Sequence, residues 1–167
     1  MRIAFDGTTL TPGRTGVGYY TEHLLHHLAR EAESAGDEIV VISNKPIDTQ
    51  APLPAHVRVH EGHRFPVRIG WLQLRAQSAI AALKPDVVHF TNGMIPMGAP
   101  APTVVTVHDM SLRLYPQCHP VRRLILNRPL MHVAIRQAAA IVTVSHSARR
   151  DLLRLHGTDP DRVSVAC

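Results

Sequence analysis

The stretch TVVTVHDMS, Thr103–Ser111, decides the fold. Its first five residues are all β-branched, which suits a pleated, packed strand. A near-continuous run of this kind, with little polar alternation, marks a strand buried on both faces, as in a parallel sheet. The run then ends abruptly on an imidazole and a carboxylate, His108 and Asp109. Similar runs recur along the chain. RIAFD (Arg2–Asp6), EIVVIS (Glu38–Ser43), HVRVHE (His56–Glu61), DVVHF (Asp86–Phe90), AIVTVS (Ala140–Ser145) and RVSVAC (Arg162–Cys167) read as six further strands.

Helical patterns separate most of these strands. Val17, Tyr20, Leu24, Leu25 and Leu28 make one stripe, and Ile69, Leu72, Ala76, Ala79, Ile80 and Leu83 a second, closed by Lys84-Pro85. A third helix is expected from about Val121, kinked or broken at Pro129. A fourth is capped by Ser145 or Ser147 and turns Ala148, Leu152 and Leu155 inward. Asn44–Ala55 reads as a loop, and TNGMIPMGAPAP, which opens at Thr91, as a mobile loop. Alternating strands and helices predict an α/β fold, a doubly wound and mostly parallel Rossmann-like sheet of about seven strands.

Composition narrows the function classes. The chain has 167 residues, enough for one domain with a sizeable core, and is 45% hydrophobic and 19% charged, which excludes disorder. The net charge of +5 comes from many arginines spread along the chain. That suits an acidic, phosphorylated or membrane-surface partner but not a dedicated nucleic-acid arm. Cys118 and Cys167 have no metal or redox spacing, and no apolar run reaches the length of a membrane span, so a reduced cytoplasmic protein is expected.

In doubly wound folds ligands bind at the carboxyl ends of the strands. Asp6, Ser43, His89, His108 with Asp109, and Ser145 end five of the strands here, so one rim should carry them. Gly16 and Gly18 lie at the start of the first long helix, where glycine lets backbone approach a ligand and free N–H groups favour an anion. Their spacing is not G-x-G-x-x-G, because position 21 is Thr, so the dinucleotide fingerprint fails and a plain structural turn competes with an anion cradle. Asp159-Pro160-Asp161 mimics a D-x-D metal motif but sits where a turn is expected. His23, His26 and His27 share part of a helix face without completing a tetrahedral ligand set. No metal site and no bound cofactor are expected.

DGTTLTPGRTGVGYYTEHLL, PDVVHFTNGMIP, TVVTVHDMSLRLYP and AAAIVTVSHSARRDLLRLHGTDPDRVSV, in this order, resemble the amino-terminal half of a family 4 (group 1, mannosyltransferase-like) retaining glycosyltransferase. Such enzymes have the GT-B architecture of two Rossmann-like domains across a cleft. The resemblance implies that residues 1–167 form the amino-terminal, acceptor-side domain. The carboxy-terminal donor-binding domain, with its paired glutamates, is absent from this chain. A hexose would pass from a nucleotide diphosphate sugar, a co-substrate, to a hydroxyl acceptor such as a glycan, a lipid-linked or a small molecule.

The resemblance also implies roles for single residues. Gly16, with Gly18, would bring backbone N–H groups to the donor diphosphate. His108 would lie beside the transferred sugar, with Asp109 orienting it or touching the acceptor. Asp6, Ser145 and Arg149 would line the cleft, and Tyr19, His89 and Asn92 would contact the acceptor. The isolated chain is expected to be inactive, to sit in the cytoplasm or at the inner membrane surface with at most peripheral membrane contact, and to self-associate through its exposed domain face. Two other readings compete: a non-catalytic sugar-binding or partner-subunit domain, and a flavodoxin-like or dinucleotide enzyme, against which the failed glycine pattern stands.

Overall fold

The structure, a computed structural model, describes residues 1–60 and 65–166. Seven strands form one sheet: β1 (Arg2–Asp6), β2 (Glu38–Ile42), β3 (Val57–His60), β4 (Val87–Phe90), β5 (Thr103–Val107), β6 (Ala140–Thr143) and β7 (Val163–Val165). Their spatial order is β3-β2-β1-β4-β5-β6-β7, and every pairing is parallel. The α/β fold expected from the apolar runs is the fold observed. The ends expected for the third and seventh strands, Glu61 and Cys167, lie outside the described residues.

Six α-helices cover the sheet: α1 (Gly16–Ala35), α2 (Arg68–Leu74), α3 (Ala76–Leu83), α4 (Ser111–Leu114), α5 (Val121–Gln137) and α6 (His146–His156). The central strands are apolar on both faces because both are covered, whereas the edge strands β3 and β7 are partly exposed. Phe5, Ile39 and Val41 pack with Leu25, Ala29 and Ala32 of α1. Ala4, Ile42, Val88 and Val105 belong to a second apolar body with Trp71, Ile80, Ala134 and Leu152. Burial of this kind contributes roughly 25 cal/mol per Å² of apolar surface.

Three expectations are corrected. The stripe through Ile69 and Leu83 is carried by two helices, α2 and α3, which meet at Arg75. The Thr91–Pro102 loop is anchored: Met94, Ile95 and Pro96 are buried, the Gln73 amide donates to the Ile95 carbonyl (3.0 Å), and its oxygen accepts from the Met97 N–H (3.1 Å). Pro129 does not break α5, which runs unbroken from Val121 to Gln137. The proline deprives the Ile125 carbonyl of its helical partner, but Ile125 lies on an exposed turn, so the lost bond does not leave a polar group in the core.

The chain builds outward from β1 to β3, returns through α2 and α3, and then builds from β4 to β7. The switch point therefore lies between β1 and β4, and the carboxyl edge there is the place for a ligand.

Candidate functional site

Three neighbouring strand ends are laced together at that edge. The Thr91 hydroxyl, just past β4, donates to the Asp6 carbonyl at the end of β1 (3.1 Å). The Thr91 carbonyl in turn lies 2.8 Å from His108 Nε2, just past β5. A carbonyl can only accept, so Nε2 carries a proton and the neutral ring keeps Nδ1 as its acceptor. Gly93, at φ 60°, turns the chain so that its N–H reaches the Thr106 carbonyl (2.8 Å), a backbone conformation that favours glycine.

His108 is half-buried, and the Tyr20 ring stands edge-on to it at 4.9 Å. The Tyr20 hydroxyl lies 3.4 Å from the Thr106 hydroxyl, which also bonds His89 Nε2 at 2.9 Å. His89 therefore supports the site from beneath. It is buried within β4, edge-on to Phe5, and its pKa is pushed down to about 4 by burial, with the Asp6 carboxylate pulling weakly the other way.

An open cavity of about 100 Å³ lies against His108. Asn92, Gly93 and Met94 line it from the β4 side, and Val107, His108, Asp109, Ser111 and Leu112 from β5 and α4. Arg123, Asn127 and Met131 of α5 close another wall, and Val17 of α1 reaches it. Val17 brings the amino-terminal turn of α1 to this rim. Thr15 precedes that turn without a side-chain capping bond, and no acidic residue stands in it. The end of a twenty-residue helix thus offers backbone N–H groups and a partial positive charge beside the imidazole.

Of the residues singled out by sequence, His108, Asp109 and Asn92 line the cavity, and Gly16 opens α1 next to Val17. Asp109 does not hold the imidazole. Its Oδ1 accepts the Ser111 N–H (2.7 Å) and starts α4, while Thr91 and Tyr20 position the ring. The remaining residues have other work. Gly18 is buried and donates to the Thr15 carbonyl, and a Cβ there would lie 2.7 Å from the Thr9 carbonyl oxygen, so close packing explains this glycine. Tyr19 points outward with Arg14 stacked over its ring. Asp6 is fully buried, accepting from Thr8 and paired with Arg68 (3.2 Å). Ser145 caps α6 through the Ala148 N–H, and Arg149 donates to the Val163 and Pro160 carbonyls, away from the cavity.

Sequence reasoning missed Tyr20, Gly93, Arg123 and Asn127. Tyr20 belonged to the first helix stripe, whose opening turn must lie at the carboxyl edge. Arg123, Asn127 and Met131 share i, i+4, i+8 spacing on one face of α5. Among the described residues no three metal-ligating side chains come together. Asp159 Oδ1 accepts the Asp161 N–H within its turn (3.0 Å).

Comparison with known proteins agrees with this fold. The chain is 29% identical over 190 residues to the O-antigen chain mannosyltransferase B of Escherichia coli, covering 100% of this chain and 48% of that protein. It therefore spans about half the length of the curated relative it matches. The crystal structure of a glycosyltransferase from Rickettsia africae superposes with a TM-score of 0.50 at 15% identity, over 98% of this chain and 42% of that one. A UDP-N-acetylglucosamine 2-epimerase from Rickettsia bellii superposes with a TM-score of 0.57 at 14% identity, over 98% and 43%. Likeness at such identity speaks for the fold alone. The sequence model of Glycosyltransferase Family 4 matches residues 15–167, and the chain belongs to that family.

Proposed function

We infer that this chain is the acceptor-side half of a retaining glycosyltransferase, which moves a hexose from a nucleotide diphosphate sugar to a hydroxyl acceptor. One observation carries the reading. His108 projects from the end of β5 into an open cavity, its ring fixed by Thr91 and Tyr20, beside the uncapped amino-terminus of α1.

The chemistry follows from that pairing. The sugar–phosphate bond breaks as negative charge grows on the departing diphosphate. Backbone N–H groups at Gly16 and the α1 dipole suit that charge and need no reorganisation as it forms. His108, with Nε2–H committed to Thr91, offers Nδ1 to a sugar hydroxyl and holds the reacting carbon in place. Arg123 and Asn127 supply donors on the acceptor side of the cavity. The reaction needs no bound metal and no resident cofactor, and the donor half resides in a second domain, so residues 1–167 alone turn over nothing. In this reading the protein works in the cytoplasm or at the inner membrane surface. Among the described residues no helix is long and apolar enough to cross a membrane.

The test is a donor screen on a polypeptide carrying both domains, reading release of nucleoside diphosphate and the anomeric configuration of the product. Retained configuration, with activity indifferent to chelator, is expected. Inversion, a metal requirement restored by manganese, or transfer by residues 1–167 alone would each overturn part of the reading.

A further inference from the structure

His108, Asp109 and Ser111 stand together in the lining of the cavity, and all three come from the short segment directly after β5. Asp109 spends Oδ1 on the Ser111 N–H (2.7 Å), which fixes the serine backbone. The serine side chain has a partner of its own. Ser111 Oγ lies 3.0 Å from Nε2 of His119, eight residues further on, and both side chains are half-buried.

The segment between them does not need this side-chain bond to fold. Backbone bonds close it in turn: the Tyr115 N–H on the Ser111 carbonyl (2.8 Å), the Cys118 N–H on the Tyr115 carbonyl (3.0 Å), and the His119 N–H on the Pro116 carbonyl (3.1 Å). After Pro120 the chain enters α5, which brings Arg123 and Asn127 to the same cavity. His119 therefore stands at the join between α4 and α5.

A hydroxyl rotates to suit its surroundings unless a partner fixes it. An imidazole nitrogen is a stronger base than a hydroxyl oxygen, so the neutral pair is best made as O–H···N, with Ser111 donating to a bare Nε2. The serine proton is then occupied, and Oγ keeps its lone pairs for a donor in the cavity. An oxygen oriented in this way suits the hydrogen of an un-ionised alcohol. It does not suit an ionised phosphate or carboxylate, whose oxygens would meet lone pairs with no proton between them.

We propose that Ser111 is the docking point for the attacking hydroxyl of the acceptor, and that His119 is the positioning residue that orients Ser111 toward it. The acceptor O–H donates to Ser111 Oγ, which leaves a lone pair of the acceptor oxygen free to face the reacting carbon beside His108. The contact sets orientation and selects a neutral alcohol as the attacking group. It rests on the glycosyltransferase reading and adds the residue that holds the acceptor.

The experiment has two arms. On the chain itself, long-range proton–nitrogen NMR spectra of isotopically labelled protein should show neutral His119 as the Nδ1–H tautomer. Its Nε2 signal should move when Ser111→Ala removes the donor. Neutral His119 with its proton on Nε2 would overturn the orientation, whatever the enzyme does. On a polypeptide carrying both domains, methyl hexosides serve as acceptor probes, and KM is read separately for probe and donor. Ser111→Ala should raise KM for the probe about three- to tenfold, as for one lost neutral hydrogen bond, with KM for the donor within about twofold. His119→Ala should act in the same direction, and His119→Gln, whose amide oxygen can accept from Ser111, should restore most of the loss. A merely structural bond gives a different pattern: lower urea midpoints for both alanine variants, unchanged KM in the folded fraction and no rescue by glutamine. That pattern would overturn the proposal. Wild-type enzyme that releases nucleoside diphosphate yet glycosylates none of the probes would overturn it as well. Wild-type enzyme that releases none with any donor would sink the enzymatic reading and this role with it, whereas normal transfer with unchanged KM in Ser111→Ala would sink this role alone.

Discussion

The Tyr20 ring meets the His108 imidazole edge-on, with centroids 4.9 Å apart and planes at 84°. One residue comes from the first helix and the other from the end of the fifth strand, and the Thr91 carbonyl fixes the imidazole from a third segment. In the two-domain enzyme proposed above, His108→Ala should lower kcat by about 10²–10³-fold, the roughly 2.7–4 kcal/mol typical of a lost transition-state contact. Stability should fall by only about 1 kcal/mol, for one hydrogen bond of a half-buried ring. Steady-state rates and urea midpoints on one preparation check both. Near-normal kcat with a strongly destabilised protein would remove His108 from the site.

Tyr20 should act through that ring. Tyr20→Phe keeps the edge contact and loses only a long hydroxyl contact to Thr106, so activity should stay within about twofold. Tyr20→Ala releases the imidazole, forfeiting the roughly 0.5–1.5 kcal/mol of an aromatic pair, and should lower kcat with KM for the donor little changed. Equal kcat for both variants would show that the edge contact does not position His108.

The two glycines of the first turn should separate. A Cβ at Gly18 would lie 2.6 Å from Arg14 Cβ and 2.7 Å from a backbone oxygen, so Gly18→Ala should destabilise by about 1–3 kcal/mol. At Gly16 nothing lies within 4 Å, and alanine is the better helix former, so Gly16→Ala should keep or raise the Tm. If the diphosphate closes on the Gly16 backbone, the same change should raise KM for the donor. An unchanged KM would leave that glycine as part of a plain turn.

Stability should depend on pH through His89. The unfolded imidazole takes up a proton near pH 6.5, whereas the buried one does so only at about 4. The unfolded state binds more protons between those values, so the native state loses stability as pH falls through that window, on the order of 3 kcal/mol by pH 4. His89→Gln should flatten the dependence between pH 6.5 and 4 relative to the wild type. Parallel melting curves for the two proteins across that window would mean that His89 is not held neutral.

Glu22 should be the costliest charge to remove. Arg14 and Glu22 form an ion pair with side chains 5% and 6% exposed, and Glu22 Oε1 also accepts the N–H groups of Gln50 (2.5 Å) and Ala51 (3.2 Å). Glu22→Ala leaves the buried guanidinium only the exposed Asp48 carboxylate (3.0 Å) and takes the acceptor from two loop amides, and should cost about 3–5 kcal/mol. Glu31→Ala, on the exposed face of the same helix, should stay within about 0.5 kcal/mol. A Glu22→Ala denaturation midpoint close to that of Glu31→Ala would contradict this account.

The sheet was legible because its central parallel strands are buried on both faces, so each of these is a short apolar run, while the edge strands β3 and β7 alternate. TVVTV and AIVT could be read without any knowledge of their neighbours. The rim was legible for the same reason: a residue that follows such a run must stand at the strand's end, as His108 does. What local pattern could not show is which rim residues have already spent their polar atoms. Ser145 on its helix cap, Asp6 on Thr8 and Arg68, and Arg149 on two carbonyls look in sequence like cleft residues. Their partners lie up to 62 residues away, so only the folded chain reveals the commitment. Tyr19 and Tyr20 show the opposite limit. Adjacent identical residues differ only by helical phase; the apolar stripe turns Tyr20 inward, but only the folded chain shows that its ring meets His108.

Glu22 also sets which parts of the surface are free to vary. The loop after β2 is tied to α1 through its backbone, by the amides of residues 50 and 51, and through side chains: Asp48 on Arg14, His56 on the Ala29 carbonyl (2.9 Å), and Ile47 and Leu53 on the apolar cluster that α1 shares. Amides are common to every residue except proline. The exposed positions 50 and 51 can therefore change their side chains at little cost, provided that the loop's length is kept and no proline enters at either. Tolerance to substitution and intolerance to insertion should coexist at those two positions, because what is held there is the spacing of the chain and not its chemistry.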